Sequence, residues 1–283
     1  MVHAVNVVVT GASGKAGRAV VRDLLEHGHD VTGVDLVPPH EPLVPTLGVE
    51  LTDFGQTIEC LAGAQAVVHL AAIPAPGIRT EEATFANNML STFNVFEAAR
   101  LLQLGRVVWA SSETILGLPF EREPPAYAPI DEEHPPLPQS SYAASKLLGE
   151  ELARQTSRRS GIPFVGLRFS NIMEPEEYSR FPSFWEDPRI RSWNLWGYVD
   201  ARDAALSCRL ALERDLSGGE HCIVAAADTV MNRPSRELMA EVYPDVRYQP
   251  TDGEHDTLLS IEKARRLLGY APEHTWRDHI AVG

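Results

Sequence analysis

The chain has 283 residues, of which 44% are hydrophobic, and a formal net charge of −14. This composition is sufficient for a large buried core, and the excess of acidic residues disfavours binding to nucleic acid or to an anionic membrane. The chain has three cysteines, Cys60, Cys208 and Cys222, and they form no CxxC pair, which argues against a zinc site or a disulfide framework. The sequence shows no signal-peptide pattern and no apolar run long enough to span a membrane. We therefore expect a cytoplasmic protein with reduced thiols.

Short apolar runs alternate with helical patterns through the first half of the chain. This alternation predicts a parallel sheet with helices on both faces, that is, a Rossmann-type doubly wound α/β fold. Asp53 with Gln56 is typical of a helix N-cap with a capping box. We predict strands at 5–9, 30–34, 65–70, 106–110 and 163–168, and helices at 16–27, 81–104 and 140–159.

We expect the whole chain, 1–283, to form a single unit. Residues 1–168 are predicted to form mainly the dinucleotide-binding core. Residues 169–283 are predicted to form mainly a small substrate lobe, with some elements that return to the core. Two segments interrupt the alternating pattern. The proline-rich segment 118–138 predicts an ordered surface loop beside the site. The aromatic segment 174–194 fits either a cover over a pocket or a small satellite core, and the sequence leaves both open.

A glycine-rich turn lies between the first predicted strand and the first predicted helix. Gly11 permits the tight turn, Gly14 lets the backbone approach a pyrophosphate, and Gly17 lets the helix pack closely on the sheet. The helix N-terminus then offers free amides and the positive end of its dipole to phosphates. Asp35, at the end of the second strand, can bind the adenosine ribose hydroxyls and would repel a 2′-phosphate, which favours NAD over NADP.

Tyr142 and Lys146 are four residues apart and therefore share one face of a helix. A free tyrosine has a pKa of about 10, and a nearby ammonium favours its phenolate form. Tyr142 could then exchange a proton with a substrate hydroxyl or carbonyl. Ser111 and Ser112 follow the strand 106–110, at the edge of the sheet where ligands collect, and a hydroxyl there can orient the substrate oxygen.

In these motifs the chain resembles the extended short-chain dehydrogenase/reductase family, the NAD-dependent epimerase/dehydratase group. The resemblance covers nearly the whole chain. It rests on TGASGKAG at 10–17, HLAA at 69–72, NNMLST at 87–92, SSETILG at 111–117, YAASK at 142–146, LRFSNI at 167–172, YVDARDAA at 198–205 and SIEKARRLLGY at 260–270.

The resemblance implies an NAD-dependent enzyme in which Tyr142 is the acid/base, Lys146 is its partner and Ser112 positions the substrate oxygen. Asn171 and Arg180 are further candidates for contact with substrate, together with Ser111. The family also forms homodimers through the helix that carries Tyr142, so we expect a homodimer. The predicted cofactor contacts are Gly11, Ser13, Gly14, Lys15, Ala16, Gly17, Asp35, Glu50, Leu51, Leu70, Ala71, Ala72, Asn87, Tyr142, Lys146 and Ile172.

Three departures from the family pattern bear on the substrate. Glu50 stands where an aspartate commonly contacts adenine, and Leu116 replaces a tyrosine that can face the sugar. The chain after Tyr142 is also short for an enzyme that must hold a nucleotide diphosphate. These features favour a dehydrogenase of a small free sugar or sugar acid, similar to uronate dehydrogenases, in which Arg180 could bind a carboxylate.

Two other functions stay open at the level of sequence. A nucleotide-sugar epimerase or dehydratase would keep NAD tightly bound and regenerate it in each cycle. A non-catalytic NAD-binding or redox-sensing protein would use the same fold without turnover. The presence of Ser112, Tyr142 and Lys146 together argues against the second of these. No histidines or cysteines stand at ligand spacing, so we expect no metal.

Overall fold

The computed structural model describes residues 4–280, and the first and last three residues of the predicted 1–283 unit lie outside the described residues. A seven-stranded sheet forms the centre of the molecule, and all of its strand pairs are parallel. Its strands are β1 (Asn6–Thr10), β2 (Asp30–Asp35), β3 (Thr46–Gly48), β4 (Ala66–His69), β5 (Arg106–Ser112), β7 (Phe164–Phe169) and β10 (Gly219–Val224).

Seven α-helices accompany the sheet within the described residues. They are α1 (Lys15–Glu26), α2 (Phe54–Leu61), α3 (Glu81–Leu102), α4 (Ser141–Ser160), α5 (Ala201–Glu213), α6 (Ser235–Val242) and α7 (Glu262–Leu268). Two short parallel pairs complete the strands: β6 (Tyr127–Ala128) with β11 (Arg247–Tyr248), and β8 (Ile172–Met173) with β9 (Val199–Asp200). The predicted Rossmann-type fold is confirmed, and each predicted strand and helix is present with ends shifted by one or two residues.

The strand order is β10-β7-β5-β4-β1-β2-β3. The chain runs outward from β1 through β2 to β3, then returns to place β4 on the other side of β1, so the winding direction reverses between β1 and β4. In open parallel sheets a ligand crevice forms at such a reversal, outside the carboxyl ends of the strands. The strands that end at this edge are anchored in the core, because Val7, Val67, Val107 and Phe164 are fully buried.

The N-terminus of α2 differs in one detail from the prediction. Asp53 caps the helix as expected, since its Oδ1 accepts a hydrogen bond from the Gln56 amide at 3.0 Å. The Gln56 side chain accepts instead from the Glu50 amide, also at 3.0 Å, because the preceding turn brings that amide within reach. The reciprocal half of the predicted capping box is therefore not formed.

The aromatic segment 174–194 folds as two 3-10 segments, Pro175–Phe184 and Pro188–Asn194. Tyr178 and Phe181 are buried against Tyr198 in the main core, and therefore do not form a separate satellite core. Trp193, by contrast, lies at the wall of the large cavity described below. One part of the segment thus belongs to the main core and another part to the cavity wall. Across residues 4–280, every helix is too short or too polar to cross a membrane.

Candidate active site

The glycine turn 11–17 connects β1 to α1, and its backbone is tight. Gly11 has a φ of +72°, and a Cβ there would lie 2.7 Å from the Ala71 amide nitrogen. A Cβ on Gly17 would overlap the Gly11 carbonyl oxygen. Gly14 is the N-cap of α1 and contributes no capping side chain, so the first amides of the helix keep their hydrogen-bonding capacity for a ligand.

Asp35 lies beside this turn, at the carboxyl end of β2. Its Oδ2 accepts a hydrogen bond from the Ser13 amide at 2.9 Å, which ties the strand end to the turn. Lys15 turns away from the helix N-terminus, because its ammonium donates to the Ile172 carbonyl at 3.0 Å and pairs with Glu177. The geometry therefore leaves the backbone, rather than the Lys15 ammonium, to meet a phosphate.

One face of α4 carries Tyr142, Lys146 and Glu150 at successive four-residue intervals. The Lys146 ammonium donates to the carbonyl of Ala110 at 2.6 Å. Glu150 accepts two bonds of 2.8 Å from the Arg168 guanidinium, a bidentate geometry that fixes both planes. These bonds join α4 to the carboxyl ends of β5 and β7 and thereby hold Tyr142 at the sheet edge.

Ser111 and Ser112 point to opposite sides of β5, as alternation along a strand requires. The Ser111 hydroxyl donates to Glu150 Oε1 at 2.6 Å and serves this anchoring network. The Ser112 hydroxyl accepts from the Thr114 hydroxyl at 2.9 Å, which leaves its own proton available to a ligand. Of the two serines, Ser112 is thus the one whose hydroxyl keeps a proton that it could donate to a ligand.

Burial dominates the protonation of this site. It raises the pKa of Tyr142, which the Glu113 charge raises further and the Ser112 hydroxyl lowers. Burial also lowers the pKa of Lys146 to about 8. The expected lowering of the tyrosine pKa by the ammonium is therefore outweighed, since Lys146 Nζ lies 5.7 Å from the Tyr142 ring centroid and both groups are desolvated.

A single cavity of about 1150 Å³ runs from the glycine turn to α4. Every residue predicted to contact the cofactor borders it, as do Ser111, Ser112 and Asn171. At the adenosine end the wall is formed by Asp35 and Glu50, and in the middle by Leu70 and Ala71. The cavity therefore connects a dinucleotide-shaped channel to the hydroxyl groups of Ser112 and Tyr142.

Arg180 is the one predicted site residue outside this set. Its side chain is 69% exposed, and its guanidinium lies 3.7 Å from a Glu177 carboxylate oxygen. The 3-10 geometry of Pro175–Phe184 turns Tyr178 and Phe181 toward the core and Arg180 toward solvent. The structure thus does not bring Arg180 together with Ser112 and Tyr142.

The sequence analysis did not predict several residues of the cavity wall, chiefly at the end of the cavity beyond Ser112. They come from loops that the chain brings together only when folded, and their residue types follow no motif. Glu113 offered one signal, because it directly follows Ser112 at the end of a buried strand. The residues at this end that were not predicted are Pro74, Ala75, Pro76, Glu113, Thr114, Pro119 and Glu121.

The glycine turn and Asp35 have features that suit the binding of NAD. Gly11 and Gly17 let the turn pack closely, since a Cβ on either would collide with protein backbone, and the first amides of α1 have no capping side chain and stay available to a pyrophosphate. The Asp35 carboxylate stands where ribose hydroxyls would need acceptors and would repel an added phosphate. The channel is thus shaped and charged for NAD.

Comparisons with known proteins agree with this geometry. The family model described as "NAD dependent epimerase/dehydratase family" matches residues 7–224. L-arabinose 1-dehydrogenase (NAD(P)(+)) of Haloferax volcanii is 30% identical over 98% of this chain and 98% of its own length. UDP-glucose 4-epimerase of Corynebacterium glutamicum is 25% identical over 95% of this chain and 91% of its own.

A uronate dehydrogenase of Pseudomonas syringae pv. tomato is 26% identical, but over 63% of this chain and 63% of its own length. Among solved structures, a short-chain dehydrogenase/reductase superfamily protein of Agrobacterium tumefaciens, with NAD bound, has a TM-score of 0.74. It is 26% identical and covers 96% of this chain and 93% of its own. The similarity extends from the glycine turn through the C-terminal elements.

Proposed function

The chain belongs to the NAD-dependent epimerase/dehydratase family of NAD-dependent enzymes, and from this premise we propose that it is a dehydrogenase that oxidises a hydroxyl of a small sugar or sugar acid. One observation carries the proposal: the Ser112 and Tyr142 hydroxyls face the same cavity as the glycine turn. One relative that matches over nearly its full length, the arabinose dehydrogenase, is an enzyme of this kind.

We propose that Gly11, Gly14, Gly17 and Asp35 hold the dinucleotide. NAD supplies the acceptor for the hydride that leaves the substrate carbon. The Ser112 hydroxyl donates a hydrogen bond to the substrate oxygen and orients this oxygen toward Tyr142. Tyr142, as phenolate, accepts the proton of the substrate hydroxyl, so that one carbonyl and one neutral phenol result. Lys146, held by the Ala110 carbonyl, provides a positive charge that opposes the rise in the Tyr142 pKa caused by burial.

The test is NAD reduction with a panel of aldoses and uronates. Tyr142→Phe removes the acid/base and leaves the cofactor channel intact, so we expect turnover to fall by about 100-fold or more. NAD binding, followed by the fluorescence of added NADH, should stay within a few-fold of the wild-type value. Absence of net NADH from the whole panel, in protein that binds NAD, would refute the proposal.

A second candidate, a nucleotide-sugar epimerase, is favoured by the UDP-glucose 4-epimerase relative, which covers 95% of this chain. It predicts NAD that stays bound through purification and turnover of a nucleotide sugar without net NADH. The cavity offers less support for it, because no arginine that could bind a second diphosphate bidentately is among the described residues that border the cavity. The same panel, extended to nucleotide sugars, separates the two.

We also propose a homodimer built on the outer faces of α3 and α4. These helices pack together, and the outer surface of α3 exposes large apolar side chains, among them Phe93 at 45% and Leu101 at 48%. Leu148 on α4 is equally exposed, at 48%. Apolar surface of this kind is typical of an interface. Light scattering measures the oligomeric state. We expect the wild type to be a dimer and Phe93→Glu to be a monomer, and a monomeric wild type would refute the proposed dimer.

We further propose that the protein acts in the cytoplasm. Cys60, Cys208 and Cys222 are all free and buried, and burial raises the pKa of the Cys60 thiol to about 11. Reduced, unpaired thiols suit a reducing compartment.

A further inference from the structure

Trp193 is a large aromatic residue that lies outside the hydrophobic core. It borders the cavity and is partly exposed. Among the described residues it packs against neither of the two hydrophobic clusters, whereas Trp185, a partly exposed tryptophan of the same segment, packs against one of them. A side chain of this size usually contributes to a protein by being buried, so the position of Trp193 calls for an explanation.

The hydrogen bonds around Trp193 place it at the substrate end of the cavity. Its carbonyl accepts from the amide of Phe120 at 3.0 Å, and both chain neighbours of Phe120 border the cavity. The next residue, Asn194, donates from Nδ2 to Oε1 of Glu113 at 3.2 Å, and Glu113 directly follows Ser112 in the chain. Trp193 is thus held among the loops that follow Ser112.

An unusual turn fixes the segment that carries Trp193. The 3-10 segment Pro188–Asn194 is followed by Leu195 and Trp196, whose backbones are both left-handed, with φ of +53° and +56°. Residues other than glycine rarely adopt this conformation, and where they do they often belong to a ligand site. Leu195 and Trp196 are fully buried, and Trp196 Nε1 donates to the Pro188 carbonyl at 2.7 Å. The turn therefore anchors the segment in the core and leaves Trp193 at the cavity wall.

The Trp193 indole has one covered face and a free N–H group. The Arg191 guanidinium stacks 4.6 Å from the ring centroid, and Arg191 is itself buried and does not border the cavity. The stacked face is therefore on the protein side, which leaves the opposite face and the ring edge to a ligand. The Trp193 N–H has no hydrogen-bond partner among the described residues, whereas the N–H groups of Trp185, Trp196 and Trp276 donate to backbone carbonyls.

From this arrangement, and resting on the dehydrogenase function proposed above, we propose that Trp193 is the surface on which the substrate ring packs, so that the enzyme selects cyclic sugars over open-chain polyols. A sugar ring has a face of C–H groups whose hydrogens carry partial positive charge, and the π face of an indole is negative. The indole N–H can donate to a hydroxyl at the ring edge. An open-chain polyol has no fixed face to pack there. Trp193 acts on binding and takes no part in the chemical step.

The rest of the wall at this end suits the two kinds of surface that a sugar ring presents. Ser112, Thr114 and Asn171 border the cavity and offer hydroxyl and amide groups to sugar hydroxyls. A ligand that is apolar on all sides would leave these groups unpaired on burial, which is unfavourable. A ring with hydroxyls at its edge and C–H groups on one face meets both demands. Covering that face should contribute about 10-fold in affinity.

The experiment compares wild type with Trp193→Phe and Trp193→Leu, which both shorten the side chain but of which only the first keeps an aromatic face. Trp185→Phe is the control, since it removes an indole of the same segment outside the cavity. KM is measured for the most active aldose of the panel. Calorimetry on the NADH complex, in which the proposed oxidation cannot proceed, gives Kd for this aldose and for its alditol, the open-chain polyol formed by reducing it. Tm and Kd for NADH report on the fold and the cofactor channel.

We expect Trp193→Leu to raise KM and Kd for the aldose by about 10-fold, and Trp193→Phe by about threefold or less, with the control at wild-type values. The alditol should bind about equally weakly to all four proteins, and NADH equally well. Equal aldose affinity in the two Trp193 variants, or an equal loss for aldose and alditol, would overturn the assignment of Trp193. A Trp193→Leu protein that does not fold would also overturn it, because the indole would then be needed for packing. Failure of every free sugar with wild type that binds NAD would instead overturn the dehydrogenase function itself.

Discussion

Replacing Glu113 with glutamine should stabilise the protein at alkaline pH. Burial raises the pKa of this carboxyl from an ordinary value of 4.5 to about 7, against the opposing effects of Ser170, Asn194 and Arg191. Between pH 4.5 and 7 the unfolded chain has released this proton while the folded chain still holds it. The folded state therefore binds more protons in this window, and its stability falls as the pH rises through it.

The magnitude follows from the same two values. At roughly 1.4 kcal/mol per pH unit, ionising Glu113 in the folded state costs about 3 kcal/mol of stability by pH 8. Glutamine has the shape of the neutral acid and can still accept from Asn194, so Glu113→Gln removes this loss. The difference between variant and wild type should grow by about 2 kcal/mol or more between pH 5 and pH 8.

Urea unfolding, followed by tryptophan fluorescence at both pH values, measures this difference. The other acidic residues make wild-type stability depend on pH in many ways, so only the difference between proteins is informative. Glu123→Gln serves as the control, because its exposed carboxylate keeps its hydration in both states, and we expect its difference from wild type to be constant. If Glu113→Gln were equally stabilising at pH 5 and pH 8, Glu113 would not carry the buried charge inferred here.

Three further changes test other parts of the site. Gly17→Ala would place a methyl group against the Gly11 carbonyl, so we expect NAD binding to be lost, measured as the rise in Tm on adding NAD. Asp35→Asn removes the charge that repels a 2′-phosphate, and the ratio of kcat/KM for NADP to that for NAD should rise by about 10-fold; an unchanged ratio would contradict the role of Asp35. Arg180→Ala should change KM by less than twofold for aldoses and uronates alike, since this side chain is exposed and outside the cavity.

The cofactor-binding half of the site was predictable because the residues of each motif lie close together in the sequence. Gly11, Gly14 and Gly17 lie within one turn, and the strand before and the helix after them fix where that turn must be. The spacing of Tyr142 and Lys146 likewise determines that they share a helix face. Alternation along β5 could also have separated the roles of Ser111 and Ser112, since neighbouring strand residues face opposite sides.

The substrate half was less predictable because its wall is assembled from distant loops. Glu113 and Glu121 come to one end of the cavity only when the segment that carries Trp193 packs against them, and the Phe120 amide donates to the Trp193 carbonyl at 3.0 Å. No periodicity in the sequence predicts such contacts between distant loops. The position of Arg180 outside the cavity was unpredictable for a related reason. Whether a side chain in a 3-10 segment faces the core or the solvent depends on where the segment begins and how it is rotated, and the sequence does not determine either.

Two observations argue against a role of the Glu113 carboxyl in stabilising the fold or in transferring the proton. A group that costs about 3 kcal/mol at pH 8 is a poor choice for stabilising a fold, and a glutamine would fill the same space and bond to the same Asn194. Its charge also raises the pKa of Tyr142, which works against the phenolate that the reaction needs. Neither folding nor proton transfer therefore accounts for a carboxyl here.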